Sequence, residues 1–257
     1  VTETLLETAG LCRAFGPLKA VDDVSIAVKA GTITGLIGPN GAGKSTLFNL
    51  LTGVLAPDAG KIRLKGEDVT GLPPDALFTR GLGRTFQIPR PFARMSVLEN
   101  VMMAPVGQTG ERVWGPFVGA GRVRAEEARI RARALEVLDF VTLAPLADHP
   151  AGKISGGQRK LLELARVLMG DPEVILLDEP AAGVNPSLTA TLIEKIEALN
   201  RQGKTFVIIE HDMDFIMRHC DPVIAMAEGR LVFEGSAAEA QANPVLLEAY
   251  LGTMVHG

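Results

Sequence analysis

Two hydrophobic periods divide this chain. Residues Lys61–Val69 alternate polar and apolar side chains, as a strand with one face in water should. Thr32–Ile37, Glu173–Leu177 and Lys204–Ile209 are mostly apolar and partly β-branched, the pattern of strands buried on both faces. Between them, apolar residues recur at helical spacing. Leu47–Leu51, Val97–Met103, Val123–Val141, Gln158–Gly170, Ser187–Gln202 and Asp212–His219 are therefore predicted helices. The third carries a stripe of Ile130, Ala134, Val137, Leu138 and Val141. Ser96 offers an N-cap with Glu99 in the first turn, and Gly170 followed by Pro172 is a helix stop. Strands alternating with helices predict an α/β fold with a mostly parallel sheet covered on both faces.

The two ends and the middle depart from that pattern. Strands near Leu5–Cys12 and Val24–Val28, with turns at Gly16-Pro17 and Gly31, predict an antiparallel β subdomain. Val223–Ala227 and Arg230–Glu234, joined through Glu228-Gly229, read as a hairpin, and short helices near Ala237–Ala242 and Val245–Leu251 follow. After a short strand at Leu82–Phe86, prolines 89, 91, 105 and 116 punctuate the chain, and Pro105–Gly121 reads as a loop or insertion. One domain over residues 1–257 is expected, its core formed by 1–87 and 158–257 and a helical subdomain inserted at 88–157.

Bulk properties narrow the class. A chain of 257 residues buries a real core, and none of its apolar runs approaches the ~18 residues of a membrane span. The start, Val1–Glu7, lacks a signal peptide's basic and apolar regions, so the chain is expected to be soluble and to stay where it is made. Cys12 and Cys220 have no metal spacing and suit a reducing cytosol. A net charge of −4 weighs against nucleic acid as a partner. The arginines at 122, 124, 129, 131 and 133 include Arg131 four residues after Glu127, which favours a solvated helix face over an anionic partner.

The chemistry begins at Gly38-Pro39-Asn40-Gly41-Ala42-Gly43-Lys44-Ser45-Thr46, between a predicted strand and a predicted helix. Glycines there let the amides of Gly41, Gly43, Lys44 and Ser45 face one concavity, and the helix adds its positive dipole end. Lys44 supplies a mobile cation for β- and γ-phosphates, and Ser45 a hard oxygen for Mg²⁺. This is a phosphate loop for a nucleoside triphosphate.

Asp178 and Glu179 follow a buried strand, where ligands sit in open α/β sheets. Adjacent acids there often only cap a turn; beside a phosphate loop, Asp178 suits the Mg²⁺ shell through water, and Glu179 suits activation of an attacking water. His211 ends the next strand; a histidine is most often a surface or satisfied core residue, but at a strand end in such a sheet it is placed to reach a γ-phosphate. Gln87, also at a strand end, offers an amide oxygen to Mg²⁺ and a lever to the helical segment. Phe15 is either core filler or a ring for stacking on adenine. Ile154-Ser155-Gly156-Gly157-Gln158 opens a helix as a second anion-ready N-terminus.

Together these runs, in this order over essentially the whole chain, resemble the ATP-binding subunit of ABC transporters. That resemblance implies a P-loop NTPase (RecA-like) core, ATP and Mg²⁺ as ligands, and a head-to-tail dimer. Ser155–Gln158 of one subunit would then close over ATP held by the other. It implies Phe15 as the adenine platform, Glu179 as general base, His211 as switch and Gln87 as coupling residue. Arg84-Thr-Phe-Gln87 before Ile88-Pro-Arg-Pro-Phe92, Met95–Asn100, Ser155–Arg166, Ala181–Pro186 and Tyr250-Leu-Gly252 look like the LivG-type branch, which serves branched-chain (hydrophobic) amino-acid uptake. There the partners would be two transmembrane permease subunits, a LivF-like second ATPase (or a second copy) and, indirectly, an extracytoplasmic binding protein. The place would be the cytoplasmic face of the inner membrane, as a peripheral subunit. Ile154 replaces the usual signature leucine, and Asn185 stands where many ABC proteins carry aspartate; the branch itself has Asn there. The alternatives are transport of another solute (urea, amides, lipopolysaccharide export) and ABC ATPases acting on DNA or ribosomes. The latter carry long coiled coils or tandem cassettes, whereas this chain has one cassette and no sustained heptads. A metabolic kinase would leave Ser155–Gln158 and Glu179 without a role.

Overall fold

The computed structural model describes residues 3–85, 90–105, 120–244 and 246. The chain divides into two compact units, Val1–Gln87 with Glu173–Ala181 and Ile196–Gly257, and Ile88–Pro172 with Ala182–Lys195. Residues 158–172 and 182–195 cluster with the second unit.

The first unit holds two sheets. β1 (Thr4–Phe15), β2 (Leu18–Val24), β3 (Ala27–Lys29), β5 (Ala59–Leu64) and β6 (Glu67–Asp68) form an antiparallel sheet in the order β2-β1-β5-β6, with β3 also on β1. The strand expected at Val24–Val28 is broken. Thr8 explains the break, since its hydroxyl donates to the Val24 carbonyl at 2.9 Å and accepts from the Ile26 amide at 3.1 Å. Likewise the alternating Lys61–Val69 run bends at Lys65-Gly66, whose φ values of 52° and 79° make a hairpin turn.

The second sheet contains β4 (Ile33–Ile37), β7 (Leu82–Arg84), β8 (Val174–Asp178), β9 (Thr205–Ile209), β10 (Val223–Ala227) and β11 (Arg230–Gly235). Its order is β11-β10-β4-β9-β8-β7, parallel except for β11. β8 and β9 are buried at every position, as their unbroken apolar sequences require. In register, Leu36 faces Ile209 and Ile209 faces Asp178, so three strands end side by side.

Helix α1 (Lys44–Leu51) follows β4 and buries Leu47, Phe48, Leu50 and Leu51 in a core shared with Leu6, Leu11 and Ile62 of the first sheet and Leu36, Val207 and Ile224 of the second. Each such side chain contributes about 1.5–3 kcal/mol by leaving water. A short helix α2 (Pro74–Thr79) precedes β7. It escapes a period-based reading because six residues hold under two turns.

In the second unit, α3 (Val97–Met102) begins at the expected Ser96 cap, and Glu99 returns a bond to the Ser96 amide at 2.7 Å. The buried Asn100 side chain ties this helix to the Phe92 backbone, its Oδ1 accepting from the Phe92 amide at 2.8 Å and its Nδ2 donating to the Phe92 carbonyl at 3.1 Å. Helix α4 (Ala120–Phe140) buries Ala134, Val137 and Leu138 of the expected stripe. Arg124, Arg129, Arg131 and Arg133 are exposed, and Arg133 pairs with Glu136 at 3.3 Å. Short 3-10 helices at Ala144–Leu146 and Ala151–Lys153 precede α5 (Gly156–Leu168), and α6 (Pro186–Arg201), α7 (Met213–His219) and α8 (Ala237–Ala242) follow. The helix expected at Val245–Leu251 lies almost entirely outside the described residues. So do most of Pro105–Gly121 and the Tyr250–Gly252 tail.

Candidate functional site

The side-by-side strand ends carry the chemistry. After β4 the chain turns through residues 38–43, and Gly43 starts α1 with φ 98°. A side chain there would strike the Ala20 carbonyl of β2, so glycine is required by conformation and by contact. No side chain caps α1, and its first turn holds no acid. Its N-terminal amides are thus left for an anion. The turn between β10 and β11 braces the loop. Gly229 donates to the Ala42 carbonyl at 3.1 Å, and the Gly229 carbonyl accepts from Asp22 at 2.8 Å. Asp22 itself is held below the usual carboxylate range by hydrogen bonds from Lys19 and Arg230.

A cavity of about 400 Å³ opens over this loop, lined by Asn40–Thr46 together with Phe15, Leu18, Ala20, Glu179 and His211. That volume falls in the usual range for small-molecule sites, about 300–1,000 Å³. Phe15 is 45% exposed here and is not core filler. Gly38 and Pro39 do not line the cavity; their carbonyls accept from Lys44 Nζ at 2.6 and 3.0 Å. Burial lowers the Lys44 pKa, and the carboxylates of Glu179 and Asp178 oppose that shift.

Glu179 adopts φ 48°, unusual for a residue with a side chain, and its amide donates to the Ile209 carbonyl at 2.9 Å. Its Oε1 lies 2.8 Å from Nε2 of His211. An ionised carboxylate only accepts, so Nε2 carries the proton in that bond. β8 and β9 therefore deliver an acid and an imidazole already joined, beside the phosphate loop.

Asp178 is almost fully buried. Its Oδ2 accepts from Arg84 Nη2 at 3.0 Å, with the side chains 5% and 10% exposed. Arg84 also bonds Asn49 at 2.7 Å and Thr52 at 3.1 Å, and lies over the Phe48 ring at 5.6 Å. It joins β7, β8 and α1. Oδ1 of Asp178 is buried without a hydrogen-bond partner. A buried carboxylate oxygen left without a partner fits a place in the water shell of a hard cation. Among the described residues no cluster of three or more His, Cys, Asp or Glu side chains could hold a metal by itself. Gln87 falls outside the described residues.

Ser155–Gln158 lies in the second unit. Ser155 Oγ accepts from the Gln158 amide at 3.2 Å, and Gln158 Oε1 accepts from the Ser155 amide at 2.8 Å, closing a capping box at the start of α5. The two glycines differ. A side chain at Gly157 would meet Leu188 at 2.6 Å and Val184 at 2.9 Å, whereas Gly156 faces open space. Asn185 caps α6, its Oδ1 accepting from the Leu188 amide at 2.9 Å.

Sequence reasoning missed Arg84, Leu18, Ala20 and the Gly229 brace. A lone arginine inside Leu82-Gly-Arg-Thr85 was the only available signal for the first, since a charge in a buried strand needs a partner.

A P-loop, an acid–histidine pair on neighbouring strand ends and a serine-capped helix opening in glycines define an ATP-binding cassette, and comparison with known proteins agrees. The ABC transporter family model matches residues 21–182, and the chain belongs to that family. It is similar to the probable branched-chain amino acid transport ATP-binding protein LivG of Archaeoglobus fulgidus, at 42% identity over 96% of this chain and 95% of that protein. It is also 36% identical to the high-affinity branched-chain amino acid transport ATP-binding protein BraF of Pseudomonas aeruginosa, over 98% of this chain and 99% of the relative. Among solved structures, a nucleotide-free ATP-binding cassette from an ABC transporter superposes with a TM-score of 0.84 at 37% identity, covering 96% of this chain and 98% of its own. An ABC transporter cassette in its ADP conformation gives the same TM-score at 38% identity, covering 98% and 100%. The chain is an ATP-binding, ATP-hydrolysing subunit of an ABC transporter, a kind of subunit that dimerises and works with transmembrane permeases. Among the described residues no helix is long and apolar enough to cross a membrane.

Proposed function

We propose that this subunit energises an importer of branched-chain or other hydrophobic amino acids. The proposal includes two permease subunits and a second ATP-binding subunit, LivF-like or a second copy, paired head to tail. It also includes an extracytoplasmic binding protein acting indirectly, and a peripheral place on the cytoplasmic face of the membrane. Near full-length identity to proteins named for that transport supports the solute class.

ATP enters the cavity with its phosphates over the amides of residues 41–46 and its base toward Phe15. Lys44 leaves the carbonyls of Gly38 and Pro39 for the β- and γ-phosphates. Glu179 takes the proton of an in-line water, and His211 orients its carboxylate and reaches the γ-phosphate. Ser45, Asp178 and Gln87 would hold Mg²⁺, which would supply charge neutralisation on the phosphates. Ser155, Gly156, Gly157 and Gln158 close over the partner subunit's ATP. In this reading the functional core is formed by 1–87 and 158–257, with the helical segment 88–157 inserted.

The Glu179–His211 bond beside the phosphate loop carries this reading. Glu179→Gln keeps the side chain's size and removes its basicity, so kcat should fall about 10²–10⁴-fold with ATP affinity retained. Undiminished hydrolysis would remove the base assignment. Leucine-stimulated ATPase in the complex reconstituted with permeases and binding protein tests the solute; stimulation by a urea-like amide alone would redirect it.

A further inference from the structure

Arg13 lies two residues before Phe15 on β1 and is not among the residues lining the cavity. Its guanidinium carbon stands 5.2 Å from the centre of the Phe15 ring. The group is held there. Nη1 donates to Asp58 Oδ1 at 2.8 Å and to the Ala56 carbonyl at 3.1 Å. The other oxygen of Asp58 accepts from the Ala14 amide at 2.7 Å, and the Asp58 amide donates to the Cys12 carbonyl at 2.9 Å. One short segment, 56–58, thereby fixes the arginine and the backbone leading to the ring.

A half-exposed aromatic side chain turns freely unless something holds its face. A fixed cation does so by attraction to the ring's negative π face, and it draws electron density from the opposite face. An electron-poor ring is the better surface for stacking an electron-rich purine. We propose that Arg13 is a positioning residue for base recognition: anchored by Asp58, it orients Phe15 and polarises it for stacking against the purine of the bound nucleotide. This rests on the assignment of Phe15 as the base platform.

The test is a double-mutant cycle on the full chain, reading affinity for ATP and for inorganic tripolyphosphate, which engages the phosphate loop but has no base. Arg13→Ala should weaken ATP binding about two- to fivefold and leave tripolyphosphate unchanged. Arg13→Lys should keep most of the difference, and in a Phe15→Leu background Arg13→Ala should cost nothing further. Equal losses for ATP and tripolyphosphate, or the same loss with Phe15 already removed, would overturn the role and leave the Arg13–Asp58 pair as a structural staple. An unchanged ATP affinity in Phe15→Leu alone would instead remove the platform reading beneath it.

Discussion

At the scale of single residues, the site is governed by a few pairings that position charge. Arg84 has the highest stake. It is the cation on buried Asp178, and its planar group also satisfies Asn49 and Thr52, which an ammonium's compact charge does not reproduce. Arg84→Met leaves a carboxylate buried without its counter-charge, at a cost of about 3–5 kcal/mol. In a chain of this size that is a fall of roughly 10 °C in Tm. Adding Asp178→Asn should recover much of the loss in a thermal melt, because the stranded charge is gone. A double variant as unstable as Arg84→Met would place the cost in lost packing on Phe48.

At the scale of elements, the signature run shows two glycines with different reasons for being glycine. Gly157→Ala pushes a methyl group into Leu188 and Val184 at the start of α6 and should destabilise by about 1–3 kcal/mol. Gly156→Ala meets nothing and removes glycine's entropy cost, so it should stabilise by up to about 1 kcal/mol. Denaturant midpoints of the two variants would separate these outcomes, and equal destabilisation would contradict the packing described. The same contrast marks what was legible in the sequence. β4, the loop and α1 announce themselves by local pattern, as do β8 and the Ser96 cap, because each is decided within a few neighbouring residues. The Thr8 break between β2 and β3, the six-residue α2 and the Arg84–Asp178 pair depend on distant parts of the chain. A pattern of neighbours carries no sign of a partner 94 positions away.

At the scale of the whole molecule, nucleotide and stability are coupled. A ligand that binds only the folded chain stabilises it by about 2.7 kcal/mol at a hundredfold excess over Kd. Lys44→Met should abolish most of the ATP-induced rise in Tm. It should also change the pH response without nucleotide. Burial lowers the Lys44 pKa in the folded state, so between that value and the ordinary 10.5 the unfolded chain binds more protons. The stability cost of Lys44 is therefore complete below the folded pKa and fades as pH rises toward 10.5. Melting curves over that alkaline range should rise less steeply in Lys44→Met than in the parent. Parallel curves would mean that the ammonium costs the fold nothing.

The hold of Lys44 on the carbonyls of Gly38 and Pro39 has one more consequence. An arriving triphosphate does not simply fill a vacant seat; it must trade places with the loop's own oxygens for the same ammonium. Two neutral amide oxygens are easily outbid by a polyanion and poorly outbid by a lone weak anion. The loop is thus protected against trivial occupants before any wall of the cavity has been tested.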